Sequence, residues 1–469
     1  MNEALTYKDL FFSFGKILHV DRFEIDELPD HHGRFAITAV LDADLEKDIF
    51  FQVPDEISLL YRQNGEEKVL FFGLLFRSSM KRKGKYLYLD LEAKSCTYQM
   101  DLVKEIRSFQ NTKETGSQIV KEVLKQYPGC ICLENFEDGP LEQFLIQYEE
   151  TDWEFLKRLA RKYHVRLYPQ VTAKKPSFRI GFPRVREDWQ IREDFFTTAV
   201  SFDTYEDRKA NMKGDVLPQQ YLSWTAEGYH IIPLGARLLY RGKEWLVGAV
   251  RRRLDQGILK NTYTLVQEET EALPPYCNPL LPGISLDGTI KNVARDQVQV
   301  YMEEDTNTRT AGQYWFPYST VAGSADGSGW YCMPEIGEKI RVYFPEADER
   351  GAYVISALSG NTLSNQTGSM DPAVKHISTA QGNTVTFCAG GANISVKGGT
   401  GRVNLGSGGD LSITAAESIS IYAGSKITFD GNEIVTSADE KIDMAADPGA
   451  SIKMSTSQID LKASKIYQN

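Results

Sequence analysis

The sequence has few cysteines, no long apolar run and no excess of positive charge. Its six cysteines are spread over 469 residues without a Cys-x-x-Cys pair, a pattern that predicts buried free thiols rather than disulfides or a metal site. No apolar run approaches the roughly 20 residues that span a bilayer. The formal net charge is −11, from 53 Lys and Arg against 64 Asp and Glu. This acidity argues against nucleic acid as a partner, because phosphate binding needs a basic surface.

A secretion signal is also missing. The first residues, MNEALTYKDL, contain no basic start followed by an apolar stretch, so we predict synthesis in the cytoplasm without a cleaved signal peptide. Hydrophobic residues make up 42% and charged residues 25% of the chain, which excludes a wholly disordered protein. At roughly 150 residues per domain, the length predicts about three domains.

Catalytic motifs are absent as well. The sequence has no Gly-x-Ser-x-Gly elbow and no phosphate-binding loop, and none of its six histidines stands at His-x-x-x-His spacing. His31 and His32 precede a glycine, which predicts a turn rather than a pair of metal ligands. Paired carboxylates such as Glu303 and Glu304 are common in acidic chains. We therefore predict no enzyme activity, no cofactor and no metal.

The first 277 residues have a mainly strand-like pattern. Apolar alternation predicts strands at 35–41, 68–76, 86–93 and 244–250. The basic cluster KRKGK at 81–85 joins two of them and contains a glycine suited to a hairpin turn. We interpret it as a solvated hairpin tip, with a patch for an acidic partner as the alternative. The region 1–277 is predicted to be a hub domain of strand-rich barrels with two helices.

The two helices are amphipathic. The first is predicted over 117–126, and Pro128 and Gly129 end it. The second begins at Thr151, because Thr151 and Glu154 form a capping box. Its apolar face is predicted to carry Trp153, Leu156, Leu159, Ala160 and Tyr163. Its charged residues are predicted largely on the opposite face: Lys157, Arg158, Arg161 and Lys162.

Residues 278–360 are predicted to form a separate unit of short strands divided by turn residues. Five strands in about 80 residues suit a small OB-fold barrel, and the fold alone implies no ligand. The strands are predicted at 288–293, 297–302, 314–318, 339–344 and 352–358. Residues 361–380 form a linker rich in Ser, Asn, Thr and Gly, too short to hold a further catalytic domain.

The remaining residues, 381–469, form a repeat with a period near eight. Each repeat is an apolar-x-apolar doublet, and small or turn-forming residues separate the doublets. Both apolar side chains of a doublet are expected on one face of a very short strand. Such a strand cannot offset its own ordering entropy and must stack on neighbours. The doublets are Val385 with Phe387, Ile394 with Val396, Val403 with Leu405, Leu411 with Ile413, Ile419 with Ile421, Ile427 with Phe429, Ile442 with Met444, Ile452 with Met454, and Ile459 with Leu461.

Two architectures satisfy this repeat: a single-chain β-solenoid and a triple-stranded β-helix wound from three chains. Two inward side chains per strand fill a narrow triangular core but would leave a wider solenoid hollow, so we favour the triple-stranded needle. About 11 strands at roughly 4.7 Å predict a needle on the order of 50 Å long. The predicted fold class is mainly β, with an α+β hub rich in β-barrels, a small OB-fold barrel and a C-terminal β-helix needle formed by a homotrimer.

Several segments resemble the VgrG family, the hub-and-spike proteins of contractile injection systems, and its phage relatives. QYEETDWEFL at 147–156, followed by Arg158 and Leu159, is similar to the family segment QYxESDxxFxxRL. The strand pair that closes the family's hub is matched by Glu244, Trp245, Leu246, Val247, Arg251, Asn261 and Tyr263. The family's spike base is matched in order by Gly288, Val298, Val300, Trp315, Phe316, Pro334, Gly337, Glu338 and Val342.

The resemblance implies a structural role in a homotrimer. In this family the hub contacts the inner tube and the baseplate, and the β-helix punctures the target-cell envelope. A small PAAR-like tip protein often caps the apex, which here is Ile466, Tyr467, Gln468 and Asn469, and effector cargo can be carried. Some relatives end in an iron-binding His-x-His motif, which this sequence lacks, so no intrinsic metal tip is expected.

Two other functions stay open on the sequence. A cell-wall hydrolase would cleave peptidoglycan during penetration, and a surface adhesin would use the repeat as a β-solenoid stalk. The missing catalytic motifs weigh against the first, and the missing export signal weighs against the second. We predict a spike protein assembled in the baseplate of a phage tail-like or type VI secretion particle and delivered to the target cell or the extracellular space.

Overall fold

The computed structural model divides into two compact units, residues 1–358 and 359–469. It describes residues 4–467 except 15–16, 42–53, 184–188, 192–194, 202–204, 207–208, 211–216, 321, 324–328, 331, 357–372, 380, 397–398 and 447–448. Both units consist mainly of antiparallel strands, which confirms the β-rich fold class. The trimeric needle and the division of the first unit at residue 277 stay predictions.

One large sheet organises the hub region. It follows the order β1-β4-β5-β6-β3-β2-β15-β16-β13-β12, with β14 paired to β15. The predicted strands at 35–41, 68–76, 86–93 and 244–250 lie within β3, β5, β6 and β15 and are confirmed. The strands of the hub region are β1 Leu10–Phe12, β2 Ile17–Glu27, β3 Arg34–Leu41, β4 Glu56–Gln63, β5 Glu66–Lys83, β6 Tyr86–Ser95, β7 Lys104–Phe109, β8 Ile131–Glu134, β9 Leu145–Thr151, β10 Leu167–Pro169, β11 Ser177–Ile180, β12 Phe196–Val200, β13 Leu222–Gly228, β14 Arg237–Tyr240, β15 Lys243–Asp255 and β16 Ile258–Val266.

In strand β3, side chains alternate between the buried and the exposed face of the sheet. Phe35, Ile37, Ala39 and Leu41 are fully buried in one apolar cluster. Thr38, between them, lies on the other face and donates to Asp90 at 3.3 Å. Burial of the alternate apolar residues fixes the register, because a slip of one residue would turn all of them toward water.

The α-helices that lie wholly within the described residues are α1 Gly116–Leu124, α2 Asp152–Lys162 and the short α3 Glu268–Glu271. The predicted first helix started one residue late and ended two residues late. The predicted start of α2 is confirmed: Thr151 Oγ1 accepts from the Glu154 N–H at 3.2 Å, and Glu154 accepts in return from the Thr151 N–H at 3.0 Å. Within the described ranges, no helix is long and apolar enough to cross a membrane.

A five-stranded sheet of order β19-β18-β17-β22-β23 follows the hub region. Its strands overlap all five predicted ones, although residues 357–358 of the last lie outside the described residues. Its core contains Phe316, Val342 and Val354, and it also takes in Phe144 and Ile146 from the hub region. The five strands are β17 Ser285–Ala294, β18 Gln297–Met302, β19 Trp315–Pro317, β22 Lys339–Tyr343 and β23 Tyr353–Ser356. A separate two-stranded sheet is formed by β20 Ala322–Gly323 and β21 Gly329–Trp330.

The second unit consists of two antiparallel meanders. The sheet β24-β25-β26-β27-β28 comes first and the sheet β29-β30-β31 second. Seven of the predicted doublets coincide with β25 to β31, one doublet in each strand. The strands are β24 Lys375–Ser378, β25 Thr384–Cys388, β26 Gly391–Val396, β27 Gly401–Gly406, β28 Leu411–Ala415, β29 Lys441–Ala446, β30 Ala450–Ser455 and β31 Ile459–Lys462.

Candidate functional site

The C-terminal strands arrange their apolar residues in rows on one sheet face. Directly opposed residues of antiparallel strands point to the same face. Across β24 to β28 the first row consists of Ile377, Val385, Ile394, Val403 and Ile413. A second row consists of Phe387, Ala392, Leu405 and Leu411. Both members of the doublets in β25, β27 and β28 therefore lie in the two rows, as the repeat predicts. In β26 Ala392 takes the place in the second row, and Val396 lies outside both rows, opposite Gly401.

The second meander repeats this arrangement. Ile442, Met454 and Ile459 are opposed across β29 to β31 and form one row. The other row consists of Met444, Ile452 and Leu461. Each sheet thus has two parallel apolar rows that cross its strands. Along each strand, one polar residue separates the two rows.

In a single chain this apolar face is largely uncovered. On this face Leu411 is 59% exposed, and the doublet members Ile421 and Phe429, which lie in no strand, are 61% and 69% exposed. Contiguous exposed apolar surface of this kind marks an interaction site, because leaving it in water is costly. The other exposed doublet members are Phe387, Ile394, Val396, Leu405, Ile413, Ile419, Ile427, Met444, Ile452, Ile459 and Leu461.

The stretch 416–440, all of it described, contains no strand. The sequence predicts strands at Ile419 with Ile421 and at Ile427 with Phe429, and in the single chain this prediction is wrong. A strand needs a neighbouring strand to pair with its N–H and C=O groups. No segment of the described chain pairs with these doublets in this way. The doublet pattern is present here without the intrachain pairing found on either side of it.

The predicted docking residues for a tip protein fall partly within the described chain. Ile466 is 56% exposed and Tyr467 is 82% exposed. Gln468 and Asn469 lie outside the described residues. An uncovered aliphatic and aromatic pair at this end has the composition of a small contact surface.

The QYEETDWEFL segment contributes a buried ion cluster centred on Arg158. Arg158 Nε and Nη2 donate to the two carboxylate oxygens of Glu150 at 2.8 and 2.7 Å, and Nη2 also donates to the Ile146 carbonyl at 2.6 Å. Nη1 donates to Glu349, which lies beyond the barrel strand β22. Burial alone would lower the pKa of Arg158, but the two carboxylates outweigh it and raise the pKa.

The position of Arg158 corrects the sequence prediction. Arg158 was expected on the charged outer face of α2, but it is fully buried. The physical reason is that α2 is covered on most sides, so that its second face packs against Glu150 and Glu349 rather than water. The sequence carried a signal for this, because Arg158 lies one turn after the buried Phe155 and within the same motif as Glu150.

The same segment holds a second polar cluster around Asp152, which is also buried. Asp152 accepts from Gln147 at 2.9 Å and from the Tyr127 hydroxyl at 2.9 Å, and it pairs with Arg107 at 3.3 Å. Burial is the main cause that raises the pKa of Tyr127, and Asp152 adds to it. Arg107 lies on β7, Gln147 lies on β9 and Tyr127 lies in the turn after α1, so Asp152 links the start of α2 to the β7–β9 pair and to the end of the first helix.

The hub region and the five-stranded sheet are joined by further buried contacts. Asp305 accepts from the Ser108 N–H at 2.8 Å and also from the Ser108 hydroxyl. Asn307 donates to the Ser108 carbonyl at 2.7 Å. Together with the link from Arg158 to Glu349, these bonds hold the two regions in one compact unit.

Solved structures share this architecture. The c3393 protein of E. coli, a component of the type VI secretion system with structural similarity to the T4 bacteriophage tail proteins gp27 and gp5, aligns with a TM-score of 0.51 at 13% identity over 74% of this chain and 98% of that chain. A chain of the lidded Francisella PdpA-VgrG complex aligns with a TM-score of 0.52 at 8% identity over 84% of this chain and 76% of that chain. Comparison with protein-family models and with curated proteins gives no match.

The chain has the fold of the VgrG-type hub-and-spike proteins. The QYEETDWEFL segment therefore has a structural explanation within a VgrG-type fold. Its Glu150 and Asp152 are buried acceptors, and Thr151 is a helix cap. The motif residues position the helices against the strands and link them to Glu349 of the five-stranded sheet region.

The histidines provide no metal site in the part of the chain that is described. No group of three or more His, Cys, Asp or Glu side chains there could hold a metal ion. The turn predicted around His31 is present, since the His31 N–H donates to the Leu28 carbonyl at 3.4 Å. The neighbouring His32 is buried against Trp153, with 4.9 Å between ring centroids, and lies 3.2 Å from Asp101. Burial lowers the pKa of His32 despite Asp101, which acts in the opposite direction.

The prediction of buried free thiols is wrong for three cysteines. Cys277, Cys332 and Cys388 are exposed. Cys277 and Cys332 lie in connecting segments and Cys388 lies at a strand end, where the chain has no core to pack against. Cys96 follows the prediction, and its burial raises the pKa of the thiol to about 11.

Proposed function

We propose that this protein is a structural hub-and-spike component of a contractile injection apparatus and not an enzyme. The observation that carries the proposal is the uncovered apolar face of the C-terminal meanders, repeated with the period of the doublets, in a chain with a VgrG-type fold. An apolar face of this kind is stabilised when it is buried in an interface, and a spike built from several copies of the chain provides that interface.

The proposed cover is two further copies of the chain, forming a homotrimer. Three such faces turned toward one axis bury the rows against each other in a narrow core. Three chains would also give the doublets at Ile419 and Ile427 the ladder partners that one chain lacks. The trimer core comprises the nine doublets from Val385 with Phe387 to Ile459 with Leu461. The trimer would carry three times −11, or −33 charges, which favours solubility.

The antiparallel pairing of β24 to β28 weighs against a single-chain solenoid. Solenoid coils stack parallel strands, whereas each pair in these meanders is antiparallel. The adhesin hypothesis, which relied on such a stalk, is correspondingly less favoured. No described contact favours the hydrolase hypothesis, since the buried carboxylates Glu150, Asp152 and Glu349 are held by cationic partners.

We assign roles to the regions accordingly. The hub, residues 1–277, would dock the inner tube and the baseplate, and the OB-fold barrel at 278–360 would narrow the particle. The linker at 361–380 would lead into the spike at 381–469. The end residues from Ile466 to Asn469 would seat a PAAR-like tip protein, and the spike would carry effector cargo through the target-cell envelope.

The test is co-purification from the cells that make the protein. A tagged chain should purify with sheath, tube and baseplate proteins and should lie at one end of the tube in negative-stain images. The purified chain should leave peptidoglycan intact. A chain that purifies without these proteins would contradict the proposal, and cell-wall clearing that a single carboxylate substitution abolishes would favour the hydrolase.

A further inference from the structure

The hairpin between β5 and β6 carries an exposed basic tip. Its strands pair out to Lys83 opposite Tyr86, and Gly84 in the turn has a φ of 63°. The neighbouring strand β4 pairs with β5 only as far as Leu74. Every residue from Phe76 to Tyr86 is exposed. The tip is therefore a hairpin paired through β5 and β6, and its side chains are exposed to solvent.

The charge of this tip is opposite to that of the whole chain. Four of the five residues at 81–85 are cationic in a chain of net charge −11. Lys81 and Lys83 oppose Tyr88 and Tyr86, so they lie on one face of the hairpin. Within the described residues, Lys81, Lys83 and Lys85 have no carboxylate within ion-pair distance, although Arg34 on the same sheet pairs with Glu92 at 2.9 Å.

The residues beside the cations give the tip the composition of a protein-binding surface. Phe76 is 39% exposed, Met80 is 43% exposed and Tyr86 is 45% exposed. Lys85 Nζ lies 5.3 Å from the centre of the Tyr86 ring. Aromatic and methionine side chains are enriched at protein interfaces, whereas lysine is not, so here the lysines contribute charge complementarity rather than interface composition.

We propose that this basic tip, residues 76–86, docks onto an acidic surface of a different protein in the same particle. The inference rests on the proposed function, because a threefold particle would present three identical tips on one side and would bind multivalently. Nucleic acid is a poorer fit, since proteins that bind phosphate backbones present an extended basic surface and this chain is acidic outside the tip. A membrane is also a poorer fit, because the apex KRKGK carries no apolar side chain to insert.

Fluorescent poly-L-glutamate is the probe for such a surface, titrated at low salt with the full-length protein. The test variant combines Lys81→Gln, Lys83→Gln and Lys85→Gln. A matched control removes the same charge from exposed lysines elsewhere, through Lys113→Gln, Lys121→Gln and Lys175→Gln. The tip variant should bind at least about tenfold more weakly than the wild type, and the control should stay within about twofold.

Equal binding by the tip variant and the control would overturn the inference. So would tip-dependent binding that is tighter for duplex DNA or for phosphatidylglycerol vesicles than for poly-L-glutamate, or tip-dependent association of the protein with itself. The particle mass of each variant separates the two proposals. A wild-type trimer that does not bind poly-L-glutamate would contradict the docking proposal but not the proposed function. A monomeric wild type would contradict the proposed function itself.

Discussion

Replacing Arg158 by methionine should destabilise the first unit strongly. The guanidinium makes charged bonds to Glu150 and Glu349, both of which are buried. Methionine fills similar space but leaves these carboxylates without their main partner, and breaking a buried pair in this way costs about 3–5 kcal/mol. Lys162, 3.8 Å from Glu349, can offset only part of that loss.

The expected change in melting temperature follows from the size of the unit. At about 2.1 cal/mol/K per residue, residues 1–358 have an unfolding entropy of about 0.75 kcal/mol/K, so the loss corresponds to about 4–7 °C. Differential scanning calorimetry on the full-length protein measures this shift. Lys157→Met removes the same charge from a half-buried neighbour and should change the melting temperature far less. Equal melting temperatures for the two variants would refute the central role given to Arg158.

Three further substitutions test other parts of the account. Arg22 and Arg253 outweigh burial and lower the pKa of Glu24 from 4.5 to about 2. The Glu24 carboxylate therefore stabilises the fold above pH 4.5 and loses this effect as the pH falls toward 2. Glu24→Gln should have a lower melting temperature than the wild type at neutral pH. A difference in melting temperature that persists at pH 2 would contradict the assignment. Thr151→Ala should cost about 1 kcal/mol in urea unfolding because it removes the α2 cap, whereas Thr151→Ser should cost little. Ile421→Asp should prevent assembly, since three carboxylates would meet unpaired near the axis; Ser420→Asp is the control, and a trimer of Ile421→Asp with unchanged melting would refute the inward placement.

Local signals in the sequence predicted much of the fold. The Thr151 capping box and the alternation of Phe35, Ile37, Ala39 and Leu41 depend on residues close in the chain, and both are present as predicted. The doublets likewise predicted strands and shared faces from β25 to β31. In each case a short segment contains all the information that its local structure needs.

The predictions that were wrong concern residues whose partners are distant in the sequence or absent from the chain. Arg158 reads as a surface cation until Glu349, 191 residues away, is brought beside it. Ile419 and Ile421 carry the doublet pattern, but strand formation depends on a ladder partner that their own chain does not supply. Exposed cysteines such as Cys388 were misjudged because residue type alone does not say whether a strand end meets a core.

The mass of the intact particle decides whether three chains assemble. Native mass spectrometry of the full-length protein should give about 159 kDa, three times the 52.9 kDa of the chain, because three uncovered apolar faces bury one another. A dominant species of 52.9 kDa with the C-terminal strands folded would contradict the account.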